Sequence, residues 1–150
     1  MGGFGGALKQ LSIGVASSHG KAYIHGAGDA KVGFGADHDS FLASMADAAS
    51  SVAKRFAGKA VYINVMKNMS VDCDCAGLAA AEPTIPDIGI CASTDILAVD
   101  QACVDMVYNQ ESNHDLVERM ESRHGLHQLT AMHDLKMGND KYELICIDDD

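Results

Sequence analysis

A chain of 150 residues with 11 basic and 21 acidic side chains, a formal charge of −10, is ill suited to a nucleic-acid backbone or an anionic membrane. Both draw their affinity from clustered Lys and Arg, and no such cluster occurs here. The 47% apolar and 21% charged content fits one soluble globular domain over residues 1–150 and argues against disorder, and no apolar run approaches the roughly 20 residues that span a bilayer.

Taken in chain order, the glycine-rich start leads into Ala7–Val15, whose apolar spacing predicts a short helix. Ser17-Ser18-His19-Gly20-Lys21 reads as a turn and Ala22–His25 as a short strand. Gly26–Gly35 reads as loop, with several positions able to take positive φ. Asp37 or Asp39 can cap a helix over Ser40–Phe56 that sets Phe41, Leu42, Met45, Ala49, Val52 and Phe56 on one face, with Gly58 ending it. Ala60–Met66 is β-branched and nearly continuous in apolar character, which predicts a central strand covered on both faces.

Lys67–Pro86 holds both prolines and lacks a helical period, so it reads as a long loop with an extended Ser70–Cys75 segment. Asp87–Ala92 predicts a second buried strand. Ser93-Thr94-Asp95 supplies caps for a helix over Ile96–Tyr108, whose Leu97, Val99, Ala102, Cys103, Met106 and Val107 have helical spacing. Helices follow over His114–His124 and Leu126–Lys136, and Tyr142–Ile147 predicts a last strand. Strands separated by helices imply an α/β fold: one small layered domain whose short mixed or parallel sheet of three to four strands is packed by helices.

The chain has 5 cysteines, an odd number, and its first residues lack the basic flank and apolar core of a signal peptide. A reducing cytoplasm is therefore the expected location. Cys91, Cys103 and Cys146 each sit in an apolar run and read as small buried hydrophobes. Cys73 and Cys75 stand apart, in Asp72-Cys73-Asp74-Cys75, the densest group of potential ligands. In an extended segment the two thiols share one face and the two acids the other. That spacing lets both sulfurs reach one soft metal, Zn or Fe, as half a ligand set. His19, His25, His38 or an acid would close the shell; His25, just before the glycine-rich loop, is the preferred histidine, with Asp72 or Asp74 completing or orienting the site. The competing reading is two cysteines in a polar loop. No Cys-x-x-Cys occurs, which disfavours a ferredoxin-type cluster held within one chain. His114, His124, His127 and His133 read as solvated or capping residues.

Among the acids, Asp87 opens a buried strand, Asp95 reads as a helix cap, and Asp100 reads as a buried acid or as the polar edge of its helix with Gln101 and Asp105. The glycine run Gly2–Gly6 lacks the strand–turn–helix context of a nucleotide loop.

Four ordered motifs combine into a resemblance: Gly2-Gly3-Phe4-Gly5-Gly6-Ala7-Leu8-Lys9-Gln10-Leu11-Ser12-Ile13-Gly14, Asp72-Cys73-Asp74-Cys75, Pro86–Asp95, and Ala98-Val99-Asp100-Gln101-Ala102. Together they resemble the domain of unknown function 362 family, whose members are labelled uncharacterised Fe–S center proteins. The resemblance runs over nearly the whole chain and corresponds to the family's C-terminal half. Many members carry a ferredoxin-like insert; here only His25–Lys59 fills that space, so the iron–sulfur label has no support in these residues. The resemblance implies a fragment or short relative, with apolar surface available for self-association or for the missing N-terminal half. It implies no reaction, because the family is named for lacking one.

Three functional readings follow. The first is a metal or metal-cofactor binding domain with a redox role, using Cys73, Cys75, His25, Asp72 and Asp74. The second is a small-molecule enzyme whose cleft is lined by Asp87, Asp95 and Asp100. The third is a non-catalytic assembly module.

Overall fold

A computed structural model describes residues 3–56 and 58–148, with Asp74 and Cys75 described in their backbone alone. Its centre is the helix α4, Ile96–Tyr108, which is apolar on nearly every side, as a buried helix must be. Ile96, Leu97, Val99, Ala102, Val104 and Val107 are all buried. Asp95 caps it, accepting hydrogen bonds from the Leu97 and Ala98 N–H groups at 3.0 Å each. The other Asp95 oxygen accepts from the Asn139 N–H at 2.9 Å, which ties the C-terminal segment to the same helix start.

The other elements gather around α4. Helix α1, Ala7–Lys9, widens into a π turn over Gln10–Gly14. Helix α2 spans Ser18–His25 and α3 spans His38–Phe56. Strand β1, Tyr62–Met66, and strand β2, Gly89–Ser93, follow, with a short 3₁₀ segment at Asp74–Ala79 between them. Helices α5, His114–Ser122, and α6, His127–Asp134, complete the order. Helix α4 touches both strands and also α1, α5 and α6, while α3 packs on α6, α2 and the π turn. The buried face of α3 is Phe41, Leu42, Met45, Ala46, Ala49 and Ser50. Its cap is Asp37, which accepts from the Ser40 N–H at 2.9 Å and whose carboxyl is held below its usual range by that bond.

The sheet corrects the expectation of three to four mixed or parallel strands. Among the described residues it has two strands, β1 and β2, paired antiparallel with Asn64 opposite Cys91 and Val65 opposite Ile90. Two of the expected strands are absent for different reasons. Ala22–His25 is helical because Ser17 caps the preceding turn, its Oγ accepting from the Gly20 N–H at 3.1 Å, and this outweighs the β-branched Ile24. Tyr142–Ile147 pairs with no strand and is tethered through the Tyr142 hydroxyl, which donates to Asp105 at 2.7 Å. The apolar run of β1 is likewise not covered on both faces. Tyr62, Asn64 and Met66 turn toward α4, whereas Ile63 and Val65 are 62% and 59% exposed. No described helix is long and apolar enough to cross a membrane.

The start of α1 is fixed by a long-range contact. Asp100, 1% exposed in the middle of α4, accepts from the Ala7 N–H at 2.7 Å and the Leu8 N–H at 2.9 Å. It also accepts from the Asn64 side-chain amide at 2.7 Å. The chain can approach this carboxylate so closely because residue 6 is glycine: a Cβ there would lie 2.6 Å from Asp100 Oδ1. The extended backbone of Gly6 would suit any residue, so the demand is for space. Gly3 and Gly125 make a similar approach, a Cβ on Gly3 falling 2.5 Å from the Gly125 Cα. We expect Gly6→Ala to lower stability by about 1–3 kcal/mol through overpacking. Asp100→Ala, which strands two buried N–H groups and the Asn64 amide, should cost roughly 3 kcal/mol or more. Urea midpoints of the two variants equal to that of the wild type would show that the contact is dispensable.

Candidate functional site

A cleft of about 860 Å³ opens beside this contact. One wall is the glycine-rich start with Lys9; another is β1 from Ile63 to Met66 and the loop onward to Cys73. Its floor is Asp100, Cys103 and Val107 of α4, and α5 adds Arg119 and Met120. The cleft thus collects parts of two motifs singled out from the sequence, Gly3–Gly6 with Lys9 and Gln10 from the first and Asp72 with Cys73 from the second, and one acid, Asp100, from a third.

Cys73 is the cysteine of the cleft that faces a cation. The Lys9 ammonium lies 3.3 Å from Cys73 Sγ, a side-chain contact spanning 64 residues of chain. Lys9 is at the end of α1, and its position is set by the two N–H groups that Asp100 holds at residues 7 and 8. Asp72 is turned away from the thiol. One of its oxygens accepts from the Ala81 N–H at 3.0 Å and the other faces the Arg119 guanidinium at 3.5 Å. The acid that precedes Cys73 in sequence is therefore engaged by a cation and a backbone donor of its own. Ser70 closes the turn, donating to the Ala81 carbonyl at 2.7 Å and accepting from the Asp72 N–H at 3.1 Å.

The floor is buried and polar. Burial pushes the Asp100 carboxyl above its usual range, while the Leu8 N–H, the Asn64 amide and the Ala7 N–H pull it back. Cys103 accepts a weak hydrogen bond from Asn64 Nδ2 at 3.5 Å. Burial pushes its thiol up to about 12, and the neighbouring Cys91 and Asp100 add to the rise. Two sulfurs of the same cleft thus differ in kind, Cys73 facing an ammonium and Cys103 kept as a neutral thiol.

The remaining sequence candidates lie elsewhere. His25 ends α2, its Nδ1 at 2.8 Å from the Lys21 carbonyl and its ring against Phe34 and Phe41 at centroid distances of 4.5 and 4.7 Å. It lines no part of the cleft. The side chains of Asp74 and Cys75 fall outside those described. Asp87 accepts from the Asn68 N–H at 2.8 Å and joins the loops that flank the two strands, and Asp95 is the cap of α4. Of the three acids expected to line a cleft, only Asp100 does so. Among the described residues no three or more His, Cys, Asp or Glu side chains gather around a point that could hold a metal ion. Cys91 donates to Met106 Sδ at 3.5 Å, Cys103 is neutral, and Cys146 is exposed next to Asp148. Sequence reasoning missed Lys9, Asn64, Cys103 and Arg119 as cleft residues, although Lys9 stood inside the first motif.

A family model described as a domain of unknown function (DUF362) matches residues 1–105, which takes in every cleft residue except those of α5 and the end of α4. No curated protein and no solved structure gives a match.

The state of Cys103 has a measurable consequence. Between pH 9 and about 12 the folded protein keeps a proton on this thiol that the unfolded chain, with an ordinary thiol near 9.0, has lost. The folded state then binds more protons, so stability should fall as pH rises through that window. Urea denaturation at pH 8 and pH 10 should show a decline in the wild type that is smaller in Cys103→Ala. Equal declines in the two proteins would contradict the assignment.

Proposed function

The chain belongs to that family, the domain of unknown function 362 family, and from this premise we propose that its cleft binds a small molecule and acts on it through the Cys73 sulfur. The observation that carries the reading is the Lys9 ammonium at 3.3 Å from Cys73 Sγ, inside a cleft of small-molecule size. An ammonium at this distance favours the ionised sulfur, which is the form that attacks electrophiles. Asp72 does not oppose this, because its charge is met by Arg119. Lys9 also offers a proton donor next to the reacting sulfur. Asp100 and Asn64 hold the wall and floor in place, and the apolar side chains of Val104, Val107 and Met120 supply the dry surface of the cleft.

The second reading is a soft-metal site for Zn or Fe in which Cys73 and Cys75 are two of the ligands and Asp72 or Asp74 orients them, with a redox role. What favours it is the same ammonium beside the Cys73 sulfur, since thiolate, the form a nearby cation favours, is also the donor form for soft metals. His25, the histidine preferred from the sequence, lies against Phe34 and Phe41 and does not line the cleft, so this reading is carried by the cysteines and acids.

Alkylation by iodoacetamide, read residue by residue by mass spectrometry, tests the first reading. Cys73 should react faster at pH 7 than Cys91 or Cys103. Lys9→Met should slow Cys73 by about tenfold, the effect of one pK unit on the thiolate fraction. An unchanged Cys73 rate in Lys9→Met would sink the proposal. Metal analysis of protein purified without chelator separates the two readings: stoichiometric Zn or Fe that is lost in Cys73→Ser and Cys75→Ser favours the second over the first.

A further inference from the structure

Three sulfur-bearing side chains meet where the inner face of β2 packs on α4. Cys91, buried in the middle of β2, has its Sγ 3.5 Å from Met106 Sδ of α4. Cys103 stands three residues before Met106, on the same side of the helix, and its thiol is within hydrogen-bonding reach of Cys91. Asn64, opposite Cys91 in the sheet, donates from its side-chain amide to Cys103 Sγ at 3.5 Å. The donors thus come from a strand and a helix, and both helical sulfurs turn toward Cys91. Ordinary core packing accounts for a buried cysteine, but it does not ask a second thiol and a thioether to meet it sulfur to sulfur. Cys103 also forms part of the floor of the cleft, which gives an ion a way in from solvent, whereas Cys91 and Met106 lie outside the cleft lining.

We propose that Cys91, Cys103 and Met106 form a binding site for Cu(I). Thiolate and thioether sulfur are the donors that this soft ion selects. Zinc fits the set poorly, because a structural zinc takes four ligands drawn from Cys, His and carboxylates. The nearby acids are committed to other partners. Asp100 accepts from the Ala7 and Leu8 N–H groups and from Asn64. Asp105 accepts from the Gln101 side-chain amide at 2.9 Å and from the Tyr142 hydroxyl at 2.7 Å. Binding forms two copper–thiolate bonds and one copper–thioether bond, and the two thiol protons leave to solvent. The ion stays Cu(I) throughout, so no oxidant or reductant takes part. The Asn64 amide then hydrogen-bonds a ligating sulfur, an outer-shell contact of the kind that orients a ligand. Asp100 in turn holds Asn64 in place. The site uses neither Cys73 nor Lys9 and stands apart from the reading given for them.

Anaerobic titration of the reduced, tag-free full chain with Cu(I), in competition with the coloured chelator bicinchoninate, is the test. One Cu(I) per chain is expected, with a sulfur-only shell in X-ray absorption. The triple variant Cys73→Ser/Cys75→Ser/Cys146→Ser, which removes every other thiol of the chain, should keep that ion at wild-type affinity. Met106→Leu conserves core volume and should give an unchanged circular dichroism spectrum. It should nevertheless weaken Cu(I) binding by at least the roughly tenfold that loss of an outer-shell partner costs. Cys103→Ala, which removes a thiolate, should weaken it further. A triple variant that takes up no Cu(I) overturns the proposal. So does nitrogen or oxygen in the copper shell, or a Met106→Leu protein that binds Cu(I) as tightly as the wild type.

Discussion

Asp100 is where three distant stretches of chain are forced into register. A carboxylate at 1% exposure is costly unless its lone pairs are met, and here they are met by two backbone N–H groups and one side-chain amide. The donors come from residues 7 and 8 and from Asn64, so one residue of α4 fixes both the start of α1 and the facing of β1. Removing any donor leaves the charge less compensated, and moving α1 away strands its first-turn N–H groups. The glycine at position 6 follows from the same contact, since the carboxylate occupies the space a side chain would need.

Two consequences travel outward from it. Along α1, fixing residues 7 and 8 sets the direction of Lys9 one residue later, and so the ammonium beside Cys73. Along β1, fixing Asn64 on the α4 side decides the strand's alternation. With a period of two, Ile63 and Val65 must then face away from α4. The Lys9–Cys73 corner of the cleft and the apolar face of the sheet are thus both set by one buried acid.

Local patterns were legible in the sequence where local physics decides them. The cap Ser93-Thr94-Asp95 and the helical period beyond it place α4 at Ile96–Tyr108, as found. Helix α3 begins slightly earlier than its pattern suggests because Asp37, not Asp39, caps it; Asp39 instead pairs with His124 at 2.9 Å. The failures are of two kinds. Ala22–His25 is too short for its apolar pattern to outweigh the Ser17 cap, and Tyr142–Ile147 has strand composition but no strand beside it to complete a ladder. Strand pairing is a long-range fact that a single segment does not carry.

The same limit governs the site. Asp72-Cys73-Asp74-Cys75 stood out because its ligands are adjacent in sequence, and Cys73 does line the cleft. What distinguishes its sulfur is Lys9, which lies 64 residues away and carries no local sign of a role. Asp100 reads from the sequence more readily as the polar edge of α4 than as a buried acid, because its partners at Ala7 and Leu8 lie 93 and 92 residues away. His25 shows the converse. Its position before a glycine-rich loop suggested a ligand, and in the fold its ring packs against Phe34 of that loop and Phe41 of α3, away from the cleft. The contacts that shape this cleft are therefore made by pairs of residues distant in sequence, each bland alone, and several of them depend on where the buried Asp100 holds α1 and β1.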